Sequence, residues 1–120
     1  MAIPVSRVIL YVKDVAGVAA FYQRHFGMSR LPGSEQGWVE LSSGEHGCNI
    51  ALHKAASSQK SGAAVKIVFG VEDVEKFKAE RDADGLSFGP IHCPGDFKFA
   101  NTKDPAGNSI QISSRGIRKT

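Results

Sequence analysis

Histidines and cysteines are the residues from which metal or nucleophile chemistry would be built, and their spacing gathers none of them. His25 falls inside a helical pattern, His46 in a turn, His53 at the end of a strand pattern and His92 in a loop. A catalytic metal takes about three protein ligands and keeps one position open. Cys48 and Cys93 have no Cys-x-x-Cys spacing, so neither structural zinc nor a thioredoxin-like redox site is indicated. Cys48, at the start of a strand, reads as a small buried thiol. Cys93, in a loop beside Pro94, reads as exposed, with no His-Asp pair in view to activate it.

Polar and aromatic residues on alternating strand positions carry more. Arg7, Ile9 and Tyr11 share one face of a strand while Val8, Leu10 and Val12 share the other; Lys66 and Val68 oppose Ile67, Phe69 and Val71 in the same way. Asn49, Ala51, Gln111 and Ser113 fall on the same side as Arg7 and Lys66, opposite Ile50, Leu52, Ile110 and Ile112. Trp38 and Glu40 alternate with Val39 and Leu41, and Phe97 and Phe99 with Lys98. The candidate ligand-binding residues are therefore Arg7, Tyr11, Trp38, Glu40, Asn49, Lys66, Phe99 and Gln111. Arg7 and Lys66 either meet a negative group or pair with Glu40, Trp38 and Tyr11 either stack on a ring or pack, and Gln111 orients a carbonyl or hydroxyl. Glu40 and His53 are the conditional acid or base of a metal-free enzyme.

An internal repeat positions these residues. Arg7-Val-Ile-Leu-Tyr-Val-Lys-Asp-Val15 returns as Lys66-Ile-Val-Phe-Gly-Val-Glu-Asp-Val74, and Gly47-Cys-Asn-Ile-Ala-Leu52 as Gly107-Asn-Ser-Ile-Gln-Ile112. Two copies of a unit of about fifty residues thus fill the chain, as modules 5–55 and 64–114 of one domain, 1–120. Each opens with a strand, then Asp14 or Asp73 at the N-cap of a helix, where a short carboxylate accepts unpaired backbone N–H groups. The first helix carries a stripe of Val15, Val18, Ala19, Tyr22 and Phe26 and stops at Gly27; the second has a thinner face of Val74, Phe77 and Arg81 and stops in Ala83-Asp-Gly85. Three extended pieces follow each helix: Met28 to Leu31, Gly37 to Ser42 and Cys48 to His53, then Leu86 to Phe88, Phe97 to Ala100 and Ser109 to Ser113. The order is βαβββ twice, an α+β fold. A ferredoxin-like βαββαβ order is the competing arrangement, with too few strands between its helices.

Leu10-Tyr-Val-Lys-Asp14, Phe21-Tyr22 followed by Phe26-Gly27, and Asp104-Pro-Ala-Gly-Asn108 leading into Ile110-Gln-Ile112 together give the chain its family likeness. In that order and spacing, over nearly the whole length, it resembles the vicinal oxygen chelate superfamily, which includes glyoxalase I, extradiol dioxygenases and bleomycin-resistance-type binding proteins. The resemblance implies two modules whose curved mixed sheets surround a cleft, and a homodimer, for which Met28, Leu31 and Phe88 are the apolar interface candidates. It places metal ligands on the first and last strands of both modules, at Arg7, Ala51, Lys66 and Gln111. Arginine stays protonated, lysine would have to lose a proton, alanine has no donor, and only Gln111 offers an oxygen. The expectation is a small-molecule-binding protein without metal or other cofactor, taking an aromatic or amphipathic ligand that is neutral or anionic. A lyase or dioxygenase of the same superfamily, and a structural or regulatory homodimer, are the alternatives.

Composition bounds the rest. With 120 residues, 42% apolar and 22% charged, one modest core is expected. Arg115, Arg118 and Lys119 account for the formal charge of +3, so the body of the chain is balanced and lacks the basic stripe that nucleic-acid binding requires. No apolar run approaches the roughly 18 residues of a membrane span, and the N-terminal stretch has no signal-peptide pattern. The expected setting is cytoplasmic, without nucleic-acid or membrane partners.

Overall fold

The computed structural model describes residues 7–33, 36–45, 47–56 and 65–115, which divide into two compact units. Residues 1–6, 34–35, 57–64 and 116–120, with the tail cations Arg118 and Lys119 among them, and His46 lie outside the described residues.

In the first unit, β1 (Arg7–Val12) leads into α1 (Val15–Phe26), then β2 (Ser29–Arg30), β3 (Trp38–Ser42) and β4 (Asn49–Lys54). Asp14 starts the helix by accepting the Gly17 N–H at 3.0 Å, and Gly27 ends it at φ 64°, a left-handed conformation that costs a residue without Cβ nothing. The sheet runs β1-β4-β3-β2. The β1/β4 pair is parallel, with α1 in the crossover, and the other pairs are antiparallel. Alternation along these strands sends Leu10, Val12, Val39, Leu41, Ile50 and Leu52 into the core with Val18, Ala19 and Tyr22, because α1 packs on β3 and β4. Each of the Val, Leu and Ile side chains among them stabilises the fold by about 1.5–3 kcal/mol on full burial.

The second unit repeats this plan with one strand fewer. It comprises β5 (Lys66–Gly70), α2 (Val74–Ala83), β6 (Phe99–Lys103) and β7 (Ser109–Ser113), in the sheet order β5-β7-β6. The β5/β7 pair is parallel and the β6/β7 pair antiparallel. Asp73 caps α2 by accepting the Lys76 N–H at 3.0 Å. Asp104, buried before β7, accepts the Asn108 N–H and side-chain amide, both at 2.8 Å, and so closes the 104–108 turn. The result is an α+β fold of two tandem βαβββ-like modules with open, mixed sheets, and the two separate sheet orders exclude the ferredoxin-like arrangement.

Several expectations are corrected. Leu86 to Phe88 forms no strand: the Ser87 carbonyl accepts the Thr102 hydroxyl at 2.9 Å, and only Gly89 N–H reaches a β6 carbonyl, that of Asn101 at 2.8 Å. Its alternation reflects two side chains, Leu86 and Phe88, buried from an irregular segment. The strand expected at Phe97 begins two residues later, because Lys98 bonds Ser114 instead, through N–H to the hydroxyl and carbonyl to the backbone N–H, each at 3.0 Å. Cys48 is exposed rather than buried, since it precedes β4. Met28 and Phe88 are buried and Leu31 is half-buried, so these three form no exposed interface patch within the chain.

Candidate functional site

Register turns the alternation of the first sheet into rows. Arg7 pairs with Asn49, Ile9 with Ala51 and Tyr11 with His53 across β1/β4; Glu40 pairs with Ala51 and Trp38 with His53 across β3/β4. Residues directly opposite share a face, so Arg7, Tyr11, Trp38, Glu40 and Asn49 come together on the side away from α1. That side is open: Ile9 is 41% and Tyr11 40% exposed, whereas Ala51 lies buried beneath its larger neighbours.

One row is aromatic. The His53 ring lies 5.3 Å from Tyr11 and 5.8 Å from Trp38, the latter edge-on, a geometry that aligns ring edges with ring faces. His53 Nδ1 is 2.9 Å from the Lys54 carbonyl. A carbonyl only accepts, so Nδ1 donates, and in the neutral ring Nε2 is an acceptor. The neighbouring cluster is polar. Arg7 Nε donates to Glu40 Oε2 at 3.1 Å and Asn49 Nδ2 donates to the same oxygen at 2.9 Å. These bonds, the Asn49 one foremost and Arg7 second, hold the Glu40 carboxyl below the ordinary value of 4.5, against the opposing effect of burial. Glu40 is thus a fixed carboxylate, tuned away from acid–base work near neutral pH.

The second sheet places Lys66, Gln111 and Phe99 on one face, in the rows Lys66–Ser109–Lys103, Val68–Gln111–Asn101 and Gly70–Ser113–Phe99. Gly70 stands where the first unit has Tyr11, so this face lacks the aromatic row. Phe99 instead stacks on His92 at 4.9 Å and on Phe97 at 6.2 Å. Gln111 Nε2 donates to Asn101 Oδ1 at 3.1 Å, and Lys66 Nζ reaches the same atom at 3.4 Å. A larger groove, about 820 Å³, lies at the start of α2. Three of its charged side chains are engaged, Lys98 pairing with Glu75 and Asp73 capping the helix.

Sequence reasoning named His53 only as a conditional acid or base, not as part of an aromatic row, and left Asn101 out of the site. The alternation Asn49, Ala51, His53 carries the signal for the row, whereas Asn101 takes the place of Glu40 only through the cross-strand register, which the quoted repeat segments do not reach. The metal positions do not fit a metal. Arg7 is a cation engaged with a carboxylate, Ala51 has no donor atom, Lys66 is an ammonium, and Gln111 already donates to Asn101. Among the described residues no group of three or more His, Cys, Asp or Glu could hold a metal ion, and no helix is long and apolar enough to cross a membrane.

Comparison with solved structures finds the same fold repeatedly. A lactoylglutathione lyase from Agrobacterium tumefaciens aligns over 92% of each chain at 23% identity with a TM-score of 0.69. A glyoxalase/bleomycin resistance protein/dioxygenase from Nocardioides aligns over 100% of this chain and 89% of its own at 15% identity, TM-score 0.73. The integron cassette protein VCH_CASS1, from the mobile metagenome of V. cholerae, aligns over 94% of this chain and 96% of its own at 23% identity, TM-score 0.72. At these identities the likeness is one of fold. Among curated proteins none matches the sequence. The family profile matches residues 5–112, in keeping with the repeat, the capped helices and the two sheets, and the chain belongs to the Glyoxalase/Bleomycin resistance protein/Dioxygenase superfamily.

Proposed function

We propose that this chain binds a small aromatic or amphipathic molecule, neutral or anionic, on the open face of its first sheet and without a catalytic metal. The observation that carries this reading is the Tyr11–His53–Trp38 row, with Tyr11 and His53 exposed and Trp38 half-buried, beside the Arg7–Glu40–Asn49 cluster. A planar ligand covers the aromatic row, and apolar area removed from water supplies about 25 cal/mol per Å². Arg7 spends Nε on Glu40 and is 47% exposed, which leaves its terminal nitrogens for a ligand anion. Two free cysteines support a reducing, cytoplasmic setting. A homodimer in which 1–120 acts as one domain completes the proposal, and sedimentation equilibrium measures it.

Calorimetric titration with 2-naphthol, 2-naphthoate and 2-naphthylmethylammonium tests the binding reading. Saturable binding of the first two, weakened by Tyr11→Ala and by Trp38→Ala, is the expected result. Tighter binding of the cation, or indifference to both substitutions, overturns it.

One observation favours a second reading, a metal-free enzyme. The Lys54 carbonyl orients His53 so that Nε2 can take a proton from a ligand held on the aromatic row. In that case His53→Gln abolishes turnover while ligand still binds; a ligand recovered unchanged after long incubation rejects it.

A further inference from the structure

The two units differ where their repeat makes them most comparable. Lys66 occupies the place of Arg7, but the place of Glu40, opposite the middle of the last strand, is taken by Asn101 opposite Gln111. The carboxylate that neutralises the cation in the first unit is therefore an amide in the second. A second cation joins it. Lys66 pairs with Ser109 across β5/β7, and Ser109 pairs with Lys103 across β6/β7, so two ammonium side chains flank one serine on the same sheet face.

Lys66, Lys103, Ser109 and Asn101 line a groove of about 570 Å³ together with Ser87 and Gly89, and among the described residues no Asp or Glu contributes to it. Among the described residues neither lysine has a carboxylate partner; Lys66 Nζ makes one long contact, 3.4 Å, to Asn101 Oδ1. Gln111 pins that oxygen at 3.1 Å, which leaves the Asn101 Nδ2 hydrogens as donors. Ser87 is already spent on Asp82 Oδ1 at 3.1 Å. Two like charges facing one groove repel each other until an anion or solvent compensates them.

We propose that this groove is an oxyanion site for the terminal phosphoryl group of a small molecule, with Lys66 and Lys103 as its cationic arms and Ser109 and Asn101 as neutral donors. Gln111 is a positioning residue acting through Asn101. A phosphate monoester carries close to two negative charges at neutral pH and three acceptor oxygens, matching two ammoniums plus two neutral donors; a carboxylate or a phosphodiester brings a single charge. The site does not depend on ligand binding at the aromatic face.

Amide chemical-shift mapping of the full chain, titrated with inorganic phosphate, dimethyl phosphate and acetate at constant ionic strength, tests this. Phosphate should give saturable shifts at Asn101, Lys103 and Ser109, binding at least fivefold more tightly than either monoanion. Lys66→Gln and Lys103→Gln should each weaken it about five- to tenfold, with the rest of the spectrum superimposable, and Lys13→Gln should leave it unchanged. Tyr11→Ala should not alter phosphate binding, which separates this site from the aromatic face. No saturation at these amides, equal binding of acetate or dimethyl phosphate, or affinity unchanged in both lysine variants overturns the proposal.

Discussion

Arg7 and Glu40 meet at 3.1 Å across an intervening strand, the guanidinium 47% exposed and the carboxylate only 16%. β4 separates their strands, and its Asn49 supplies the second donor to the same Glu40 oxygen. An exposed cation is thereby tied to a largely covered anion, and the open face of the first sheet keeps a charged group without a net charge.

This arrangement makes stability depend on acid in a definite sense. The folded Glu40 carboxyl sits below its ordinary value of 4.5, so its contribution is complete above that value and disappears as pH falls through the lower folded one. Chemical denaturation at neutral pH and again near pH 3 should show Glu40→Gln costing about 1 kcal/mol at neutral pH and much less in acid. An equal cost at both pH values would contradict the pairing.

The start of α1 yields a counterintuitive substitution. Replacing a helical glycine by alanine ordinarily stabilises by about 1 kcal/mol, but a Cβ on Gly17 would collide with the Asp14 carboxylate, the group that caps the helix through the Gly17 N–H. Losing that cap costs about 0.5–2 kcal/mol. Gly17→Ala should therefore leave stability unchanged or lower, and in an Asp14→Ala background the same substitution should stabilise. Thermal unfolding of the four variants measures the reversal.

Much of this was legible in the sequence, for identifiable reasons. The strand faces followed from the two-residue period of a strand over Arg7 to Val12, and the helix starts from Asp14 and Asp73, because both signals are local. Leu86 to Phe88 misled because an irregular segment can bury every second side chain as a strand does, and the competing hydrogen bond from Thr102 lies fifteen residues away. The candidate site was legible as a set of inward residues but not as rows. That Tyr11 faces His53, or that Asn101 replaces Glu40, depends on cross-strand register, which no single segment encodes.

Neighbouring β1 positions provide a direct test of face assignment. Leu10 is 4% and Ile9 41% exposed, although both are large aliphatics in one apolar run. Leu10→Ala should cost about 2–5 kcal/mol through the cavity it leaves, and Ile9→Ala less than about 1 kcal/mol. Urea denaturation should separate the two midpoints clearly; similar losses would mean that the open face is covered.

The last prediction concerns metal. The four positions to which the family resemblance assigns metal ligands are Arg7, Ala51, Lys66 and Gln111, and each half fails on its own chemistry. In the first unit the guanidinium is engaged by Glu40 and Ala51 has no donor atom. In the second, an ammonium and an amide both turn to Asn101. The bond uses Gln111 Nε2 and leaves its Oε1, but one neutral oxygen falls well short of the roughly three ligands a catalytic divalent ion requires. Protein purified without chelator should contain far less than one equivalent of Zn, Ni, Fe or Mn by elemental analysis. Added metal should bind no more tightly to the parent chain than to Gln111→Ala, because any residual uptake belongs to surface histidines such as His53 and His92. A one-to-one complex weakened at least tenfold by Gln111→Ala would show that the strand positions still coordinate, and that the pairing of Arg7 with Glu40 yields to a metal.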